Sequence, residues 1–174
     1  MPCLLQYLRS LLAFLSKPSN VLHDLQFWDA CAVLMAHLCA LLVTNTRFLL
    51  ATGGQAVLDR IIGVVAISGP YSDTRLRESF VTRHIMSCVF TEAQEDVIDA
   101  FPIYHIKTNC PPFLLINAGA DASLLLHAVD MYHALKAKHV RVETLLLLNT
   151  CHITIKNNWQ GSNQVTRDRI CCFI

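Results

Sequence analysis

The sequence predicts an α/β fold, with a parallel sheet of about three to four strands flanked by helices. Two observations predict it. Apolar runs of strand length recur at IIGVVAISGPY (61–71), PPFLLINAG (111–119) and VRVETLLLLN (140–149), each closed by Gly, Pro or Asn. Between the last two lies SLLLHAVDMYHALKAK (123–138), which carries a helical period. Buried strands alternating with helices of about a dozen residues form βαβ units, whose crossovers set neighbouring strands parallel.

Each element has its own justification. Residues 3–16 place leucines at helical spacing, and Lys17-Pro18-Ser19-Asn20 breaks the pattern. Residues 21–43 read as one or two helices. Their second half is apolar nearly all round and so faces a core. Thr52-Gly53-Gly54 forms a flexible joint. The first strand is β-branched and ends at Gly69-Pro70. Residues 72–110 are more polar, with helices expected around 75–89 and 92–99, and suit an excursion above the sheet. Pro111 and Pro112 open the second strand, because proline cannot donate to a ladder. In the helix over 123–138, Leu126, Val129, Met131 and Leu135 are expected on one side, with lysines closing the last turn. The leucine run of the third strand reads as buried on both faces, and residues 164–174 read as a terminal helix. Residues 1–50 thus divide off as a helical N-terminal segment, and 51–174 as the α/β part.

Composition narrows the function. The chain is 53% hydrophobic with a formal net charge of +1, which excludes a disordered polymer. It also lacks the basic surplus that phosphate neutralisation demands, so nucleic acid is not an expected partner. The eight cysteines, among them Cys31 and Cys151, have no regular spacing and no C-x-x-C pair. Most sit inside apolar runs, where a free thiol behaves as a small hydrophobe, which favours a reducing, cytoplasmic compartment over a disulfide framework. The histidines repeat no ligand spacing, and Thr52-Gly53-Gly54 lacks the lysine and preceding strand of a phosphate loop, so neither metal nor cofactor is expected. The run ACAVLMAHLCALLV (30–43) falls short of the roughly 20 residues a membrane span needs, so it reads as a buried helix.

In open parallel sheets, reactive groups gather beyond the carboxyl ends of the strands. The three strands deliver Ser68-Gly69-Pro70-Tyr71, Asn117-Ala118-Gly119-Ala120-Asp121 and Asn149-Thr150-Cys151-His152. Asp121 and His152 therefore emerge at one sheet edge as an acid and a base. A carboxylate that holds an imidazole's tautomer and steadies its cation builds a general base. The plainer reading makes Asp121 the cap of the helix starting near Ser123, and His152 a solvated side chain.

These residues carry a resemblance. LDRIIGVVAISGPYS, CPPFLLINAGAD, DMYHALKAKHVRVE and TCHITIKNNWQGSNQVTRDRICCFI resemble, in order and spacing, the C-terminal part of the α/β-hydrolase family. The nearest likeness is to its esterase and arylformamidase-like branch, which includes prenylcysteine methylesterases. The resemblance runs from near Leu58 to Ile174. It implies a partial α/β-hydrolase fold in which Asp121 matches the acid and His152 the base.

It also implies a loss. The family's nucleophile elbow, G-x-S-A-G-A-H-L, is matched by CAVLMAHL, which keeps Ala36-His37-Leu38. Cys31 and Met35 then replace the elbow glycines, and Val33 replaces the serine. Valine has no nucleophilic atom, and side chains at the glycine positions obstruct the strained turn. The upstream loop that supplies oxyanion donors is also unmatched. Ser68 is the weak substitute; Ser123 reads better as a helix cap, Cys151 as a thiol turned away from its neighbour, and Cys31 as a core residue. Three readings follow. The chain is a truncated or degenerate ester or amide hydrolase, inactive or nearly so. Alternatively it is an esterase with a displaced nucleophile, Ser68 or a cysteine, acting on a small-molecule ester or amide. Or it is a binding module that joins a second copy or another protein through an exposed sheet edge.

Overall fold

The computed structural model describes residues 32–51, 53–78, 94–151, 154–155 and 164–173. The helix expected over residues 3–16, and residues 79–93 of the excursion, lie outside them.

Three strands form the expected parallel sheet: β1 (Val64–Ile67), β2 (Phe113–Ala118) and β3 (Val142–Leu147), in the order β1-β2-β3. Val64 stands beside Phe113, and Phe113 beside Val142. Pro112 cannot donate, yet its carbonyl accepts from Val64 N–H at 2.8 Å, so the ladder begins where the prolines end.

All six residues of β2 are buried, because it has a strand on each side and a layer on each face. Successive side chains point to opposite faces. Phe113 and Leu115 join Val64 and Ala66 of β1 in one cluster. That cluster is covered by helix α1 (Ala32–Thr44) through Ala36, Ala40 and Val43, and by helix α6 (Ala122–Ala137) through Ala128, Met131 and Leu135. Leu114, Ile116 and Ala118 face the other way, against Leu147, Ile155, and Ile170 and Phe173 of helix α7 (Gln164–Phe173). Ala40 is wholly buried; so small a side chain lets α1 lie close on the sheet.

Two short helices, α2 (Arg47–Leu50) and α3 (Gln55–Leu58), lead from α1 to β1. The excursion begins with α4 (Asp73–Glu78) and resumes with α5 (Gln94–Ala100) and a 3-10 turn (Pro102–His105). It is tied down by polar contacts, as its composition implied. Arg75 pairs with Asp130 of α6 at 2.7 Å, Arg77 with Asp73, and Arg47 with Asp99. The Tyr104 hydroxyl bonds to Asp73.

Helix α6 (Ala122–Ala137) is capped by Asp121, whose side chain accepts from Leu124 N–H. It ends in a Schellman closure: Val140 N–H reaches Leu135 O and His139 N–H reaches Lys136 O, both at 3.0 Å, with His139 left-handed at φ 58°. Helix α7 spans Gln164–Phe173.

Two expectations are corrected. Met131 and Leu135 are buried at 0%, but Leu126 and Val129 are 44% and 42% exposed. The buried stripe is His127 and Ala128, then Met131 three to four residues on, then Leu135 four beyond it. Leu126 lies well round the helix from Met131. The third strand is not buried on both faces: Thr144 is exposed and Leu146 is 45% exposed. Among the described residues β3 is an edge strand, so a leucine run that looked doubly covered has only part of its cover. No helix among the described residues is long and apolar enough to cross a membrane.

Candidate functional site

The carboxyl ends of the three strands form one rim, and local structure sets each residue on it. After β1, Ser68 takes a left-handed conformation at φ 49° and its N–H donates to Ile116 O at 2.8 Å. Few non-glycine residues adopt such a φ. Ser68 is 1% exposed and its Oγ has no hydrogen-bond partner. Gly69 N–H donates to the hydroxyl of Tyr71, whose ring is wholly buried. A Cβ on Gly69 would sit 2.7 Å from that ring, so the turn requires glycine. Burial also pushes the Tyr71 phenol pKa up.

After β2, Asn117 donates from Nδ2 to Leu124 O at 3.3 Å, tying the strand to the first turn of α6. Gly119 N–H then donates to Leu147 O and Ala120 N–H to Thr150 O, both at 2.9 Å. The second bond joins the loop after β2 to the loop after β3. It lies one residue from Asp121 and two from His152. The Asp121 carboxylate is half-buried and accepts from Leu124 N–H at 3.4 Å and Ser123 Oγ at 3.3 Å. These two donors fix its orientation.

After β3, Asn149 is left-handed at φ 59° and Thr150 is buried, its hydroxyl bonded back to Leu147 O. Cys151 O accepts from the N–H groups of Thr154 and Ile155, and Cys151 N–H donates to Thr154 Oγ1 at 3.0 Å. His152 lies outside the described residues. The rim is thus described around Asp121 and as far as Cys151.

The nucleophile position falls in α1. Val33 is part of that helix, although its side chain, like Cys31, lies outside the described residues. Met35 is buried. Cys151 is half-buried, with Sγ 3.4 Å from Thr154 Oγ1. Ser123, expected as a helix cap, stands instead inside α6, whose N-cap is Asp121, and its Oγ donates to that carboxylate.

Two histidines that the sequence left without a role converge on the loop after β1. His37 of α1 donates from Nδ1 to the Pro70 carbonyl at 2.5 Å and packs edge-on to Phe101. Burial lowers its pKa, against the opposing pull of the Pro70 and Ala100 carbonyls. His127 of α6 accepts at Nδ1 from Ser72 N–H at 3.3 Å. Burial lowers its pKa to about 4, with the Arg75 and His37 charges in the same direction and Asp130 opposing. Nothing in the spacing could have revealed this pair, because the two come from different helices. Among the described residues no group of His, Cys, Asp or Glu is placed to hold a metal ion.

No protein-family model matches the chain, and no curated protein sequence does. Solved structures do match. Esterase B from Lactobacillus rhamnosis superposes with a TM-score of 0.58 at 16% identity, over 79% of this chain and 49% of its own. An acetyl ester-xyloside bifunctional hydrolase from Caldicellulosiruptor lactoaceticus gives 0.54 at 15% identity, over 79% of this chain and 51% of its own. An acylaminoacyl peptidase gives 0.54 at 17% identity, over 79% and 20%. At such identities the likeness is one of fold. Three parallel strands flanked by helices, superposed on about half the length of two of these hydrolases, are a partial α/β-hydrolase fold.

Proposed function

We propose that this chain is related to carboxylic ester and amide hydrolases of the Ser–Asp–His type, nearest the arylformamidase-like branch, and that it has lost turnover. Asp121 and His152 are its acid and base. The serine position holds Val33, so the pair has nothing to activate. The observation that carries this reading is the 2.9 Å bond from Ala120 N–H to Thr150 O, which locks the acid's loop to the base's loop. In this fold an acid on one of those loops can accept a hydrogen bond from an imidazole on the other only if the loops are held together.

Loss of the nucleophile removes most of an enzyme's rate, and loss of an oxyanion donor a further 10²–10³, as orders of magnitude. Purified protein should therefore hydrolyse p-nitrophenyl acetate and an aryl formamide at the rate of a buffer blank. Turnover well above the blank that Asp121→Asn and His152→Ala both leave unchanged would refute the pair's role.

The second reading, a displaced nucleophile at Ser68, is favoured by one observation. Ser68 combines a left-handed φ of 49° with an unpartnered hydroxyl at the rim. Against it stands burial, since a nucleophile 1% exposed gives a substrate carbonyl no approach. A fluorophosphonate probe separates the two. Stoichiometric labelling that Ser68→Ala abolishes establishes the displaced nucleophile; no labelling leaves the degenerate site.

A further inference from the structure

Among the described residues β3 has one neighbour, β2, so its outer side presents backbone N–H and C=O groups. Natural sheets blunt such an edge with lysine, proline or a bulge. The strand VETLLL carries none of these. Its one charge, Glu143, is held by Arg141 at 2.7 Å and by Arg169 of α7 at 2.6 Å, on the opposite face from Leu146. Leu148, just beyond the strand, is 72% exposed. Leu126 and Val129 of α6 continue the apolar surface. Between α6 and β3 runs a groove of about 290 Å³, lined by Leu125, Val129, Tyr132, Thr144 and Leu146 among others. Contiguous apolar surface beside an open strand edge marks an interaction site.

We propose that this surface binds a second copy of the chain, with β3 paired antiparallel to β3 across a two-fold axis. Self-complementarity selects that occupant. One axis at the outer edge of β3 satisfies both sets of backbone groups and continues the sheet into the partner. Because α6 runs alongside β3, the same axis lays α6 against α6 in the opposite direction. The strips containing Leu126, Val129 and Leu146 then meet their own images. Charge favours this arrangement: Lys136 in the last turn of α6 and Lys138 at its C-cap lie at its C-terminal end, and antiparallel packing sends them to opposite ends of the interface. The apolar strip carries no charge to recruit a strongly charged partner instead. The inference does not depend on the chemistry of the rim.

Size-exclusion chromatography with light scattering on the full chain tests it. The expected mass is that of a dimer. Leu146→Lys combined with Val129→Lys should weaken association by at least about 30-fold, because two lysines per copy would be buried without partners. Ile62→Lys, at an apolar residue 68% exposed beside the opposite strand β1, should leave the mass unchanged. Hydrogen exchange on the unmutated chain needs no variant to fold: alternate amides of Val142–Leu147 should slow as concentration rises. A monomer at every concentration overturns the proposal. So does a dimer that withstands the double variant, or one that Ile62→Lys alone dissociates.

Discussion

At the residue scale, Asp121 combines two roles that can be separated. It caps α6 through Leu124 N–H, and it stands on the rim beside the loop that leads to His152. Asparagine caps about as well as aspartate, whereas alanine does not. Asp121→Ala should therefore lower stability by about 1 kcal/mol in urea unfolding, and Asp121→Asn by no more than a few tenths. His127 yields a pH dependence. Its folded pKa of about 4 lies below the unfolded value of about 6.5, so the unfolded chain binds the proton first. Its neutral form is fully compatible with the fold above that unfolded value. Stability is then lost as pH falls from about 6.5 towards 4, by at most about 3 kcal/mol. The bond that must break is Ser72 N–H to Nδ1, since a protonated Nδ1 is itself a donor. The groups facing the ring are His37 of α1, Arg75 and Glu78 of α4, and Asp130 of its own helix. His127→Asn keeps an acceptor without titrating and should flatten stability across that window. Asp121 could be read from the sequence because capping is a local pattern. His37 and His127 could not, because their shared target appears only once two helices pack over one loop.

At the element scale, α6 shows where periodicity suffices and where it does not. The run of leucines and alanines from Ser123 to Lys138 announced a helix, and a helix spans Ala122–Ala137. The face it buries was misassigned at Leu126 and Val129, because an apolar residue can sit on either side of so apolar a helix. The difference is measurable. Met131→Ala and Leu135→Ala, at 0% exposure, should each cost about 2–5 kcal/mol. Leu126→Ala should change monomer stability by about 0.5 kcal/mol or less. The third strand carries the same lesson. Its leucines gave the right element, yet Leu146 faces outward because a strand's cover depends on its place in the sheet order.

At the scale of the whole molecule, β2 joins two apolar layers, with Phe113 and Leu115 facing α1 and α6, and Ile116 facing α7. A core threaded by one buried strand should melt as a unit. Far-ultraviolet circular dichroism and the exchange of amides in α6 and α7 should report the same urea midpoint; separate midpoints would show that the layers unfold independently. The sequence by itself determined the strand and helix periods, the parallel order that their alternation enforces, and the loops that follow the strands. These are properties of short stretches of chain, set by local sterics and the spacing of apolar residues. Only the tertiary structure decided that β3 lies at an edge among the described residues, that Leu126 and Val129 look outward, that Ala120 and Thr150 join the two loops, and that two histidines grip the turn after β1. Each of those facts depends on which distant surface lies opposite a residue, and packing partners far apart in the chain leave no mark on local spacing.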